Sequence, residues 1–169
     1  MMCQLFQIIQ KLLERINRLM LLLGSIALGA AAFILSYSVV SRALFGVPTD
    51  WEDEAAVFCL VGVTFLCSAY VQNKRGHIGI SAITNSLPKG VEQLRGFLTD
   101  AISFLFCAFF SWKSWTLWHE AWAEGYVTSS SWGPPLSIPY GMMALGMTLL
   151  SIQIFVQTLG HVCPLEKGR

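Results

Sequence analysis

His119, Glu120 and Glu124 bring an imidazole and two carboxylates within two helical turns of one another, and these are donor types from which proteins build zinc sites. Their spacing argues against such a site. The H-E-x-x-H pattern that sets two imidazoles on one helical face is absent, and a hydrated helix end accounts for the cluster. The chain has three histidines, none of them central in an apolar run, which argues against a haem-bearing four-helix bundle. Its five cysteines contain no C-x-x-C pair, so disulfide exchange, which needs paired reactive thiols, is excluded as well. Cys59, Cys67 and Cys107 lie in apolar runs and read as small packing residues. Cys3 and Cys163 flank the membrane, at places where acylation acts. No nucleophile, acid and base converge, so neither an enzyme nor a bound cofactor is expected. Asp100 is the one carboxylate inside a long apolar stretch. An ionisable group at a bilayer centre costs about 3 kcal/mol or more. Asp100 stands a turn and a half beyond Arg95, where capping, hydration or pairing at the interface accounts for it; a role in ion coupling is the alternative.

The elements that carry these residues are membrane spans. Hydrophobic residues make up 54% of the chain and charged residues 12%, against about 25% charged in an ordinary soluble domain. Lys and Arg number 11 against 10 Asp and Glu, so there is no basic footprint for nucleic acid. Residues 19–40 contain no Asp, Glu, Lys or Arg, and residues 125–165 are equally free of them. A hydrocarbon core of about 30 Å needs roughly 20 apolar residues of helix. Four transmembrane helices follow, over 19–40, 55–71, 94–117 and 138–162, in a single integral membrane domain covering 1–169. The third includes Lys113, placed to snorkel, with Trp112, Trp115 and Trp118 as an interfacial belt. Pro139 suits the first turn of the fourth helix, and residues 129–135 read as the turn before it. The fold class is an all-α membrane protein.

Before the first span, Leu5, Ile8, Ile9, Leu12, Leu13 and Ile16 recur every three or four residues, with Lys11, Glu14, Arg15 and Arg18 on the other side. This predicts an amphipathic surface helix over 4–18, its basic residues among anionic headgroups. The alternative is an extension of the first helix packed on a partner. The first span is too long for a cleavable signal segment and reads as an uncleaved anchor.

Charge alternation sets the direction. Lys11, Arg15 and Arg18 precede the first span, and Lys74, Arg75, Lys89 and Arg95 follow the second. Asp50, Glu52, Asp53 and Glu54 lie between the first two spans, and Glu120 and Glu124 follow the third. Basic segments stay cytoplasmic, which places both termini inside and the acidic loops outside. Arg42 and Glu54, at the outer ends of consecutive spans, are placed to pair with one another or with another membrane subunit. Asp50, Glu52 and Asp53 form an acidic cluster that enforces this topology as a solvated loop or, should the resemblance stated below hold, helps dock the soluble binding protein. Ser25, Gly29, Ala32 and Ser36 draw a small-residue stripe along the first span, for packing within the chain or against another membrane protein.

From Arg42 to Pro88 the chain reads R-A-L-F-G-V-P-T-D-W-E-D-E, then F-L-C-S-A, then N-K-R-G-H-I-G-I and L-P. It resembles the small, DctQ-type membrane subunit of tripartite ATP-independent periplasmic (TRAP) transporters. The resemblance rests on Arg42, Trp51, Asp53, Glu54, Phe65, Leu66, Ala69, His77, Ile78 and Pro88, and on residues 135–140 before the last helix. Asp53, Cys67 and Ser81 depart from the pattern, which often has Glu, Gly and an acidic residue there. The likeness covers about residues 19–160.

The resemblance implies a bacterial or archaeal inner-membrane scaffold that transports nothing alone. Its partners would be a large TRAP membrane subunit, a periplasmic solute-binding protein and the lipid bilayer. Sodium would drive uptake of an organic acid or related solute. Arg42, Trp51, Glu54 and His77 would then serve assembly or local helix anchoring and not catalysis. The rival reading is a small homo-oligomeric transporter or channel with Asp100 lining its path.

Overall fold

A computed structural model describes residues 2–46, 50–74 and 89–162. Four helices account for nearly all of them: α1 (Met2–Phe45), α2 (Asp50–Asn73), α3 (Lys89–Glu124) and α4 (Ser137–Val162). All four hold stretches long and apolar enough to cross a membrane: Ile8–Phe45, Trp51–Asn73, Leu94–Glu124 and Ser137–Leu159. The expected spans thus lie within the four helices, and the chain is a four-span all-α membrane protein.

Two boundaries differ from expectation. The amphipathic segment over 4–18 is no separate surface helix but the start of α1, which runs unbroken for 44 residues, roughly 66 Å at 1.5 Å per residue. Nothing in Asn17, Arg18, Leu19 and Met20 breaks a helix, and Leu13 and Asn17 are buried against the rest of the protein, which holds the segment in line. The acidic residues 50–54 belong to the first turn of α2 rather than to a loop. Carboxylates are favoured there, because the first amide groups of a helix have no intrahelical acceptor.

The helices pack in the order α1, α2, α4, α3, as a row rather than a closed square. Contacts of Asn17 with Gln153, Gln72 with Gln157 and Lys74 with Glu14 gather the start of α1 and the ends of α2 and α4 at a basic end, and Arg42 meets Asp53 at the opposite, acidic one. The interior is built from small residues. Ala31, Ala56, Ala69, Ala121 and Ala144 are buried, with Ser38, Ser41, Ser111, Ser114 and Ser151. Phe33, Leu44, Phe45, Phe106 and Trp122 face outward instead, with Phe33 83% exposed. In water this distribution would be unstable. In lipid it is the expected one, because acyl chains solvate large apolar side chains as well as a protein core does, and helices associate by close backbone approach.

The acidic end is finished by glycine caps. Gly46 and Gly125 adopt φ values of 63° and 66°, the left-handed region open to glycine without steric cost. The Gly46 amide donates to the Arg42 carbonyl and the Tyr126 amide to the Ala121 carbonyl, closing α1 and α3. Between α3 and α4 the chain forms a small hairpin. Leu136 donates to the Tyr126 carbonyl at 2.9 Å and Thr128 to the Pro134 carbonyl at 3.1 Å, so the turn expected over 129–135 is ordered by backbone hydrogen bonds.

Candidate functional site

The parts of this chain that do specific work are its helix seams and its two polar ends. At the α2–α4 seam, a Cβ placed on Gly146 would lie 2.5 Å from the carbonyl carbon of Phe65 and 2.8 Å from its Cβ. The absent side chain lets the two backbones touch. Gly62 does the same more loosely, facing the Sδ of Met142. On α1, Gly24, Ala31 and Ser38 recur every seven residues on the buried face, and the Sγ of Cys67 occupies the space in front of Gly24. At the α3–α4 seam Thr148 accepts hydrogen bonds from the Trp115 indole at 2.9 Å, pairs with Ser111 at 2.8 Å and donates to its own helix at Ala144. These hydroxyls are all partnered, so the seam binds helix to helix.

At the basic end the helices are pinned by amides. Asn17 of α1 donates from Nδ2 to Oε1 of Gln153 of α4 at 2.8 Å, and neither side chain is more than 5% exposed. One turn on, Gln72 donates to the Gln157 side chain at 2.9 Å, and Gln157 donates back to the Gln72 carbonyl at 3.0 Å. Lys74 lies 3.6 Å from Glu14, joining α2 to α1 across an exposed edge. Sequence reasoning passed over Asn17 and Gln153. Their signal was available, as an amide on each of two apolar helices.

At the acidic end Arg42 meets Asp53, not Glu54, at 2.5 Å. Both partners are about half exposed, so the pair is worth roughly 0.2–1 kcal/mol. Trp51 is 43% exposed. Glu54 is half-buried, and its Oε2 is buried without a hydrogen bond among the described residues. Glu52 is fully buried, which removes it from any surface a soluble partner could touch. Of the docking trio expected from sequence, Asp53 is the member shown at the surface, and it is engaged by Arg42. His77 lies outside the described residues. In the hairpin the Tyr126 phenol donates to Glu124, and that bond pushes its pKa up to about 12.

Ser25, Gly29, Ala32 and Ser36 are all exposed, with nothing within 4 Å of a Cβ on Gly29. Ser25 and Ser36 spend their hydroxyls on carbonyls of their own helix, at Leu21 and Ala32. This stripe is therefore unused in the packing of the described residues on one another. Asp100 is half-buried near the start of α3 and takes part in an interaction there. Lys113 reaches along α3 to the Trp112 ring, 5.3 Å from its centroid.

Among the described residues no three of His, Cys, Asp and Glu gather where they could hold a metal ion, and His119 and Glu120 are exposed. Four membrane-crossing helices joined by glycine contacts, hydroxyls and amides define a multi-pass membrane protein. Residues 31–163 match the family described as tripartite ATP-independent periplasmic transporters, DctQ component, and the chain belongs to that family. It is accordingly a transporter component and not an enzyme. Comparison with curated proteins gives no match.

Proposed function

We propose that this chain is the brace of a TRAP transporter. It holds the large membrane subunit steady while that subunit carries an organic acid or related solute, delivered by a periplasmic solute-binding protein and driven by sodium. The observation that carries this reading is the outward stripe of α1. Ser25, Gly29, Ala32 and Ser36 permit close helix approach, yet all four are exposed and, among the described residues, nothing lies within 4 Å of a Cβ on Gly29. The seams of the chain itself are closed by paired amides and hydroxyls, which suits a scaffold better than a permeation path.

Purification of the full chain in mild detergent tests this. The wild type is expected to emerge with a much larger polytopic partner. The double substitution Gly29→Leu with Ala32→Leu should lose that partner while keeping its helix content and thermal stability. Recovery of the wild type bound only to copies of itself would replace the brace with the homo-oligomeric reading.

The same reading places both termini in the cytoplasm of an inner membrane, following the charge alternation between the ends. In a Cys-free background, a single cysteine at Ser130 should react with an impermeant thiol reagent applied from the outer face, and one at Lys89 should not. The opposite labelling pattern would invert the topology.

A further inference from the structure

Lys11, Arg15 and Arg18 follow at spacings of four and three along α1, which places them on one face, opposite the buried Leu13 and Asn17. All three are exposed. With Glu14 they line a concave site of about 230 Å³. Glu14 is the one acid in this cluster, and Lys74 reaches it from α2 at 3.6 Å. That contact offsets the carboxylate, and among the described residues none of the three cations has an ion-pair partner. The site sits at the boundary of the membrane-crossing run. Exposed Leu19 and Leu22 continue the same side of α1 immediately beyond Arg18. The cluster lies before residues 31–163, the stretch that matches the family.

We infer that Lys11, Arg15 and Arg18 form a headgroup site for an anionic phospholipid. The phosphodiester is held by the two guanidinium groups and the ammonium, and the acyl chains begin along Leu19 and Leu22. Arginine suits this task because its planar fork donates two parallel hydrogen bonds to a phosphate. A lipid is favoured over a soluble anion because the apolar surface starts within one turn of the charges. It is favoured over an acidic protein segment because the exposed side chains that directly follow Arg18, namely Leu19, Leu22 and Leu23, are leucines that acyl chains fit. The inference does not depend on the transporter reading, since it concerns the chain and the bilayer alone.

Native mass spectrometry of the full chain, titrated with phosphatidylglycerol or phosphatidylcholine, tests it. Each basic residue near an anionic surface contributes about fivefold in binding. Phosphatidylglycerol should therefore be retained over phosphatidylcholine, and the triple variant Lys11→Gln, Arg15→Gln, Arg18→Gln should bind it roughly a hundredfold more weakly at low salt. The preference should shrink as ionic strength rises from about 0.01 M to about 1 M, where screening shortens from about 30 Å to about 3 Å. The single variant Arg15→Gln, an exposed position with no fold to lose, should show about a fivefold loss. Arg15→Lys should keep most of the binding. Equal retention of the two lipids by the wild type, or unchanged phosphatidylglycerol binding in a helical triple variant, would overturn the site. Displacement of the lipid by millimolar inorganic phosphate would overturn it in favour of a soluble anion. Loss of a co-purifying membrane subunit from the triple variant, with lipid binding intact, would assign the face to a protein partner instead.

Discussion

Gly146→Ala is expected to destabilise this protein more than alanine at any other glycine of the α2–α4 seam. The added methyl would sit 2.5 Å from the Phe65 carbonyl carbon and closer still to its oxygen, where ordinary contact begins near 3.4 Å. The obstacle is backbone, which cannot swing aside as a side chain does, so α2 and α4 must separate. Overpacking of this kind costs about 1–3 kcal/mol, and here it exceeds the gain of up to about 1 kcal/mol that alanine brings over glycine in a helix. Gly62→Ala meets the flexible end of Met142 and should be much milder. Gly29→Ala meets nothing and should leave the chain as stable as before or slightly more so. Unfolding titrations in detergent, following helix signal, check the order. A Gly146→Ala protein as stable as Gly29→Ala would mean that the seam is looser than described. On the brace reading the consequence reaches assembly, because a shifted α2 would carry Trp51 and Asp53 with it.

The four crossings were legible because the physics that places a helix in lipid acts on composition, and charge-free runs report composition directly. Helix ends were legible to within a few residues for α4, whose start is marked by Pro139 and the hairpin before it. The unbroken α1 was not. Amphipathic periodicity over 4–18 describes a helix with two faces equally well whether that helix lies on the membrane or continues into it. The deciding contacts, Leu13 and Asn17 against the rest of the protein, are tertiary. The two small-residue stripes of α1 posed a similar ambiguity. Ser25, Gly29, Ala32 and Ser36 look like the better packing face, yet Gly24, Ala31 and Ser38 form the buried one, with Cys67 of α2 filling the space before Gly24. Glu52 marks the same limit in the acidic cluster. Spacing does not distinguish a carboxylate turned inward from one turned out, so burial at position 52 and pairing at position 53 became visible only in three dimensions.

Gln153→Leu is expected to cost more than the hydrogen bond it removes. Asn17 has no exposed surface, its Nδ2 donates to Gln153 at 2.8 Å, and its Oδ1 is already without a partner among the described residues. With leucine opposite, both ends of the Asn17 amide are left unsatisfied in a place water does not reach. A buried polar group stranded in this way costs about 1–3 kcal/mol, whereas interhelical hydrogen bonds in membranes measured by double-mutant cycles average about 0.6 kcal/mol and reach about 1.7 kcal/mol. The second half of the cycle follows from the same asymmetry. Asn17→Leu alone strands the Gln153 amide. The double variant Asn17→Leu with Gln153→Leu strands neither and adds apolar contact, so it should recover most of the stability lost by either single variant. The effect should also be local. Gln72 and Gln157 bond to each other one turn nearer the basic end and should hold α2 to α4 in all three variants. Unfolding free energies of the four proteins in one detergent, with a Gln72→Leu control, measure the coupling. Strictly additive single and double effects would show that Asn17 and Gln153 are not partners, and that α1 is held in line by its contacts with α2 alone.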